Sequence, residues 1–161
     1  MPPVELRRTV AAEPGIDDGL RRAAELLLAE LDQASAELSL LLTDDAGIRS
    51  LNLRWRGKDS ATDVLSFAQG GAGSEPVAGQ AGAGELGDIV ISLERAGEQA
   101  RCGDWTLAEE TNRLLLHGLL HLLGHEHEQG GEPAKLMRAE EHRLVARLAA
   151  AGVPCAGQEL P

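Results

Sequence analysis

The stretch TLAEETNRLLLHGLLHLLG, residues 106–124, limits the fold more tightly than any other part of the chain. Thr106 followed three residues later by Glu109 is the pattern of a capping box, in which each side chain satisfies a backbone N–H at the helix start. Gly124 is the residue type that takes a left-handed conformation just past a helix end. Between these two signals, leucines cover nearly the whole circumference from Leu114 onward. A helix that is apolar all round must be covered on every side. The pattern predicts a buried central helix with the remaining elements arranged about it.

Those elements are visible as shorter patterns. VELRRTV (4–10) reads as a strand, and DDGLRRAAELLLAELDQAS (17–35) as a helix capped by Asp17 or Asp18, with leucines at helical spacing. ELSLLLT (37–43) reads as a short buried strand. DDAGIRSLNLRWRG (44–57) reads as a helix capped by Asp44 or Asp45, with Ile48, Leu51 and Trp55 on one face. TDVLSFA (62–68) and LGDIVIS (86–92) are strand-like. The Gly- and Ala-rich segment between them (69–85) is expected to be a flexible surface loop. SLERAGEQARCG (92–103) is a helix with Leu93, Ala96 and Ala100 inward, and a last helix runs from near Pro133 to about Ala151. Helices and strands alternate too irregularly for a strict doubly wound fold. The expected architecture is a single α/β (α+β) domain over residues 1–161: a small, mixed, mostly parallel sheet packed against several helices.

A chain of 161 residues can bury a core without disulfide or metal staples. Aromatic residues make up only 2%, so that core must come from Leu, Val, Ile and Ala. The net charge of -11 argues against a general nucleic-acid coat protein. It leaves room for a local basic site: Arg49, Arg54, Arg56 and Lys58 fall in one ten-residue stretch without an acid. From charge alone that stretch reads as a solvated helix face. The N-terminal stretch has no apolar signal region, and no segment approaches the roughly 20 apolar residues of a membrane span. Cys102 and Cys155 form no CxxC pattern and read as reduced, structural thiols. A cytoplasmic location without membrane contact is expected.

Four of the five histidines lie in HGLLHLLGHEH, residues 117–127. His117 and His121 are one helical turn apart, about 6 Å along the axis, on the same face. Two imidazoles so placed suit one metal ion. Gly124 ends the helix, so a later residue can approach the same point from another direction. If the helix continued, His125 would lie about 12 Å along the axis from His117 and hold an ion almost linearly, which zinc's tetrahedral preference disfavours. His127 lies past the turn without that constraint. Glu126, Glu128, or His125 after early unwinding are the alternatives. Three protein ligands would leave one position open, as in catalytic zinc sites. The metalloprotease motif HExxH needs Glu directly after the first His as general base. Gly118 stands there, so peptidase chemistry is not expected.

HGLLHLLGHEH resembles the HGxLHLxGxDH signature of the YbeY family of bacterial endoribonucleases and ribosomal-RNA maturation factors. LNLRWRGKDSATDVLSF (51–67) is similar to that family's LNxxYRxKDxPTDVLSF block, and LGDIVIS to its LGDIxIS block. The chain departs from these patterns at Trp55 (usually Tyr), Ala61 and Ala68 (usually Pro) and Glu126 (usually Asp), and its Gly/Ala-rich loop is longer than usual. The resemblance implies one zinc ion per chain, or another divalent transition metal, held by His117, His121 and His127. It also implies an essential arginine at Arg56 that grips phosphate with its planar fork, and Lys58 as a point charge beside it. Asp59 and Asp63 are expected to cap local structure, and Ser66 to pack in its strand.

The activity implied is metal-dependent cleavage of single-stranded RNA, not DNA, in 3′-end maturation of 16S ribosomal RNA and in ribosome quality control. The small ribosomal subunit or its associated proteins would be partners. A ribosome assembly factor with a mainly structural metal and little nuclease activity is the alternative. With so few aromatics, little base specificity is expected from the domain itself.

Overall fold

Near-continuous apolar runs make both faces of the central strands apolar, and helices cover both. The computed structural model describes residues 4–68, 85–125 and 131–157. In chain order the elements are β1 (Val4–Arg8), α1 (Ile16–Glu30), β2 (Glu37–Thr43), α2 (Asp45–Arg56), β3 (Val64–Ala68), β4 (Glu85–Ser92), α3 (Leu93–Gly103), α4 (Leu107–Leu122) and α5 (Gly131–Ala150). The sheet order is β1-β2-β4-β3. β1, β2 and β4 run parallel, whereas β3 pairs antiparallel with β4 at the edge. This is the mixed, mostly parallel sheet the sequence pattern implies. The expected loop over 69–85 falls, apart from the start of β4, outside the described residues.

Leu38, Leu40 and Leu42 of β2 join Ile89 and Ile91 of β4 beneath α1, α4 and α5, forming the main core. Side chains alternate along a strand, so Leu41 and Val90 face the other side. There they meet Ile48 of α2, Leu65 and Phe67 in a smaller cluster. The central strands are thus apolar on both faces, as buried parallel strands usually are. Leu114, Leu115, Leu116, Leu119 and Leu120 of α4 are all buried, so the all-round apolar stretch is the central helix. It begins with the Thr106–Glu109 capping box.

Two local readings change. Helix α1 is not capped by Asp17 or Asp18: its N-cap is Gly15 at φ 92°, with no side-chain bond. Burial of Ile16 sets the start, and both aspartates sit in the first turn, where their charge suits the helix dipole. The helix also stops at Glu30, short of the expected residue 35. Trp55 is not inward with Ile48, which is fully buried, but half exposed. Helix α2 ends at Arg56. Asp44 does cap α2, accepting from the Gly47 N–H at 2.8 Å.

Gly87 has a specific task. The β2–β4 register jumps from Glu37↔Glu85 to Leu38↔Gly87, leaving Leu86 as the extra residue of a bulge. Gly87 takes φ 151°, and an added Cβ would lie 2.4 Å from the Phe67 carbonyl oxygen. Both cysteines are free, but the structural reading holds only for Cys155, because Cys102 is exposed. Burial pushes the Cys155 thiol up to about 12, which keeps it protonated and inert.

The first turn of α4 holds a buried carboxylate that the sequence pattern presents only as a helix-start acid. Glu110 is fully buried. It accepts from Trp105 Nε1 at 3.0 Å, from Gln99 Nε2, and from Arg113 Nε at 2.8 Å and Nη2 at 2.6 Å. Hydrogen bonds to Glu110 raise the Arg113 pKa above its ordinary value. Glu110→Gln keeps the shape but brings N–H groups against donors and removes the charge. Bonds to charged groups contribute about 1.5–3 kcal/mol, so we expect roughly 2 kcal/mol of lost stability. At this chain length that lowers the thermal midpoint by roughly 4–8 °C. Metal content should be unchanged, because His117 lies about 10 Å further along the helix. Calorimetry on the variant checks the first expectation, and a midpoint within 1 °C of wild type would contradict it.

Candidate metal centre and phosphate-binding arginine

His117 and His121 occupy successive turns of α4, and their rings converge. The two Nε2 atoms lie 3.0 Å apart, with ring centroids 4.6 Å apart and planes at 74°. Two nitrogens bound tetrahedrally to one zinc at 2.0–2.1 Å would be roughly 3.3 Å apart. The pair therefore needs an adjustment of only a few tenths of an ångström to act as two ligands, and the donor set fits zinc. On the far side of His117, Glu141 of α5 places Oε1 at 3.6 Å from Nδ1. A carboxylate facing Nδ1 favours the tautomer that leaves Nε2 as the ligand atom. Nothing in the local sequence marks Glu141, which lies 24 positions away and is brought near only by packing of α5 beside α4.

The helix ends as the glycine pattern implies. Gly124 takes φ 93°, its N–H donates to the His121 carbonyl at 3.0 Å, and the His125 N–H donates to the Leu120 carbonyl at 2.9 Å. These two bonds are the Schellman arrangement that turns a chain off a helix axis. Among the described residues, no third His, Cys, Asp or Glu joins His117 and His121 in a metal-binding group. His125 is thus not brought to the pair. It lies near Glu140 of α5, whose carboxyl the bond from Arg143 holds below the ordinary carboxylate range. His127, Glu126 and Glu128 lie outside the described residues.

Arg56 reaches the same region from the opposite face of the sheet. It is the last residue of α2, and Gly57 at φ 69° closes the helix behind it. Its guanidinium lies over the Phe67 ring, 5.2 Å from the centroid, and Nη2 donates to the Ser66 carbonyl at 2.5 Å. Ser66 is on the edge strand β3, and its Oγ donates to the Gly118 carbonyl at 3.0 Å. One residue of β3 therefore links the arginine to the residue beside His117. Ser66 is not simply packed in its strand, as the sequence suggests; it ties β3 to α4.

The same packing explains why the HExxH base is missing. A Cβ added at Gly118 would meet Ser66 Oγ at 3.0 Å and two Ile89 methyl carbons at 3.1 and 3.2 Å. A side chain at that position would press on Ser66 and Ile89, and α4 approaches β3 and β4 closely because none is present.

The other basic-stretch residues divide by partner. Arg49 is engaged by Asp59 at 2.7 Å, a bond that holds Asp59 below the ordinary carboxylate range. Arg54 lies over the Trp55 ring at 5.1 Å. Lys58 is exposed just past the end of α2, and its backbone N–H donates to the Asn52 carbonyl. Asp63 caps β3, accepting from the Val64 N–H at 2.8 Å. No helix among the described residues is long and apolar enough to cross a membrane.

Comparison with known proteins agrees with this layout. The family model for Endoribonuclease YbeY matches residues 8–149. A relative from Aquifex aeolicus bearing that name is 44% identical over 134 residues, covering 83% of this chain and 85% of the relative. Another from Pelotomaculum thermopropionicum is 45% identical over 144 residues, covering 89% and 93%. A third, from Anaeromyxobacter, is 47% identical over 122 residues, but this chain spans only 59% of its length. A solution structure of a Thermotoga maritima protein shares the fold, with a TM-score of 0.62 at 22% identity over 92% of this chain and 91% of that one. On the extent of these matches, the chain belongs to the Endoribonuclease YbeY family.

Proposed function

We propose that this protein is a zinc-dependent endoribonuclease that cuts single-stranded RNA. Its substrate would be ribosomal RNA, cut in maturation of the 16S 3′ end and in ribosome quality control, with the small ribosomal subunit as partner. The observation that carries the proposal is the convergence of His117 and His121 Nε2 at 3.0 Å on one side of β3, with Arg56 gripping that strand from the other side through Ser66. His117, His121 and His127 would hold the ion, which when bound supplies Lewis acidity at a phosphoryl group.

The chain's own residues supply the rest. Arg56 has five N–H donors, and the bond to Ser66 uses one of them. The fork can thus stay anchored to the strand while it binds phosphate oxygens and stabilises charge that builds on them. Lys58 adds a point charge beside it. Glu141 holds the His117 ring in its orientation. A mainly structural metal is less well supported, because the His117 side chain remains 26% exposed rather than sealed in the core. The acidic overall charge suits docking into a pre-formed ribosomal site better than coating free RNA.

Purified protein loaded with zinc should cut an end-labelled single-stranded RNA and spare the same strand in a duplex. Chelation should abolish cutting, and added zinc should restore it. If the RNA stays intact at every metal load, the nuclease reading is wrong.

A further inference from the structure

Among the described residues, three large apolar side chains are exposed, and two of them, Leu53 and Trp55, share the last turn of α2. Trp55 is 51% exposed, a costly placement for the largest apolar side chain in an otherwise well-covered core. The chain's other aromatics have structural employment. Trp105 donates to buried Glu110, and Phe67 packs in the smaller core cluster beneath Arg56. For the Trp55 indole N–H, the described residues offer no hydrogen-bond partner. What it has is an arginine: the Arg54 guanidinium sits 5.1 Å from its ring centroid. Arg56 is the next residue in the chain, with its fork on β3, the strand that Ser66 ties to the histidine-bearing helix.

A flat ring open to solvent, with cations on either side in sequence, is complementary to one kind of partner. It suits a polyanion whose flat bases are free to leave their own stack. An apolar protein partner would not call for Arg54 against the indole with Arg56 and Lys58 next in the chain, and a duplex keeps its bases stacked inside. We propose that Trp55 is a stacking platform for one base of single-stranded RNA, placing that nucleotide's phosphate on Arg56. Trp55 and Arg56 are adjacent at the end of α2, so the base and the phosphate they would take belong to one short stretch of strand. This inference rests on the nuclease reading and deepens it, since it gives the site a physical reason to prefer unpaired strands. It is compatible with the low base specificity expected from scarce aromatics, because stacking on an aromatic ring is sequence-tolerant.

The test uses the zinc-loaded full chain and two probes: a ten-residue 2′-O-methyl oligouridylate, and the same backbone with every base removed. Binding of the first should quench tryptophan emission, and the quench should vanish in Trp55→Phe, which keeps a stacking ring and near-wild-type affinity. Trp55→Ala should weaken binding of the base-bearing strand roughly 5- to 100-fold. The abasic strand should bind wild type and Trp55→Ala equally. Equal affinity of wild type and Trp55→Ala for the base-bearing strand, with RNA cleavage intact, overturns the platform and leaves the nuclease reading standing. An equal loss on both strands also overturns it, by making the effect one of fold or charge. If Trp55→Ala instead binds RNA normally but no longer co-sediments with small ribosomal subunits, the indole is a protein contact. Failure of wild type to bind either strand removes the RNA reading itself, and the platform with it.

Discussion

Replacing His121 with alanine should lower zinc affinity by orders of magnitude, and His117→Ala should do the same. Their Nε2 atoms are already 3.0 Å apart on successive turns of a buried helix, so loss of either leaves one nitrogen where two converged. His127→Ala should match them, because only a residue beyond the Gly124 turn can approach the pair from off the helix axis. His125→Ala should bind zinc like wild type. Its backbone N–H is held by the Leu120 carbonyl within the turn, and no metal-binding group among the described residues includes it. Removing an outer partner of a ligating histidine costs about 10- to 100-fold in affinity, so Glu141→Gln should fall between these extremes. Zinc retained after dialysis against a competing chelator measures all five variants. An empty site in His125→Ala with a filled one in His127→Ala would move the third ligand to His125. Full zinc in every variant would remove the histidines from the metal site.

Arg56→Ala should lower the rate of RNA cleavage by about 10²–10³-fold, the usual cost of deleting one preorganised donor to a developing oxyanion. Zinc content should be unchanged, since Arg56 contacts β3 rather than either histidine. Arg56→Lys is the sharper test. Its ammonium can hold the Ser66 carbonyl or a phosphate oxygen but lacks the planar fork that does both. Most of the activity should therefore be lost in the lysine variant as well. Single-turnover rates with saturating RNA separate this from weaker binding. Wild-type rates in Arg56→Lys would reduce the site to positive charge alone. A large drop in melting temperature for Arg56→Ala would make the residue a clamp on the sheet edge rather than a phosphate ligand.

Some of this was written in local pattern. The central helix could be read from residues 106–124, because a capping box, a terminal glycine and an all-round leucine surface are properties of neighbouring residues. The same holds for an aspartate cap, Asp44 or Asp45, at the start of α2 and for β2 as a short buried strand. The His117–His121 pair could be read because a helix of known pitch turns a spacing of four into a shared face. Gly118 excludes HExxH chemistry by identity alone.

Other features depended on contacts between distant segments. Helix α1 starts at Gly15 rather than at an aspartate because Ile16 is needed in the core, and burial outweighs a side-chain cap. Trp55 is exposed although it lies seven residues from buried Ile48 on one helical face, and helical periodicity carries no information about which positions of that face the sheet covers. Glu141 meets His117, and Ser66 ties Arg56 to Gly118, across 24 and 52 positions of sequence. Hydrophobic pattern specifies which face of each element is buried; which polar side chains then meet across those faces follows from how the packed elements align, and only the tertiary structure contains that.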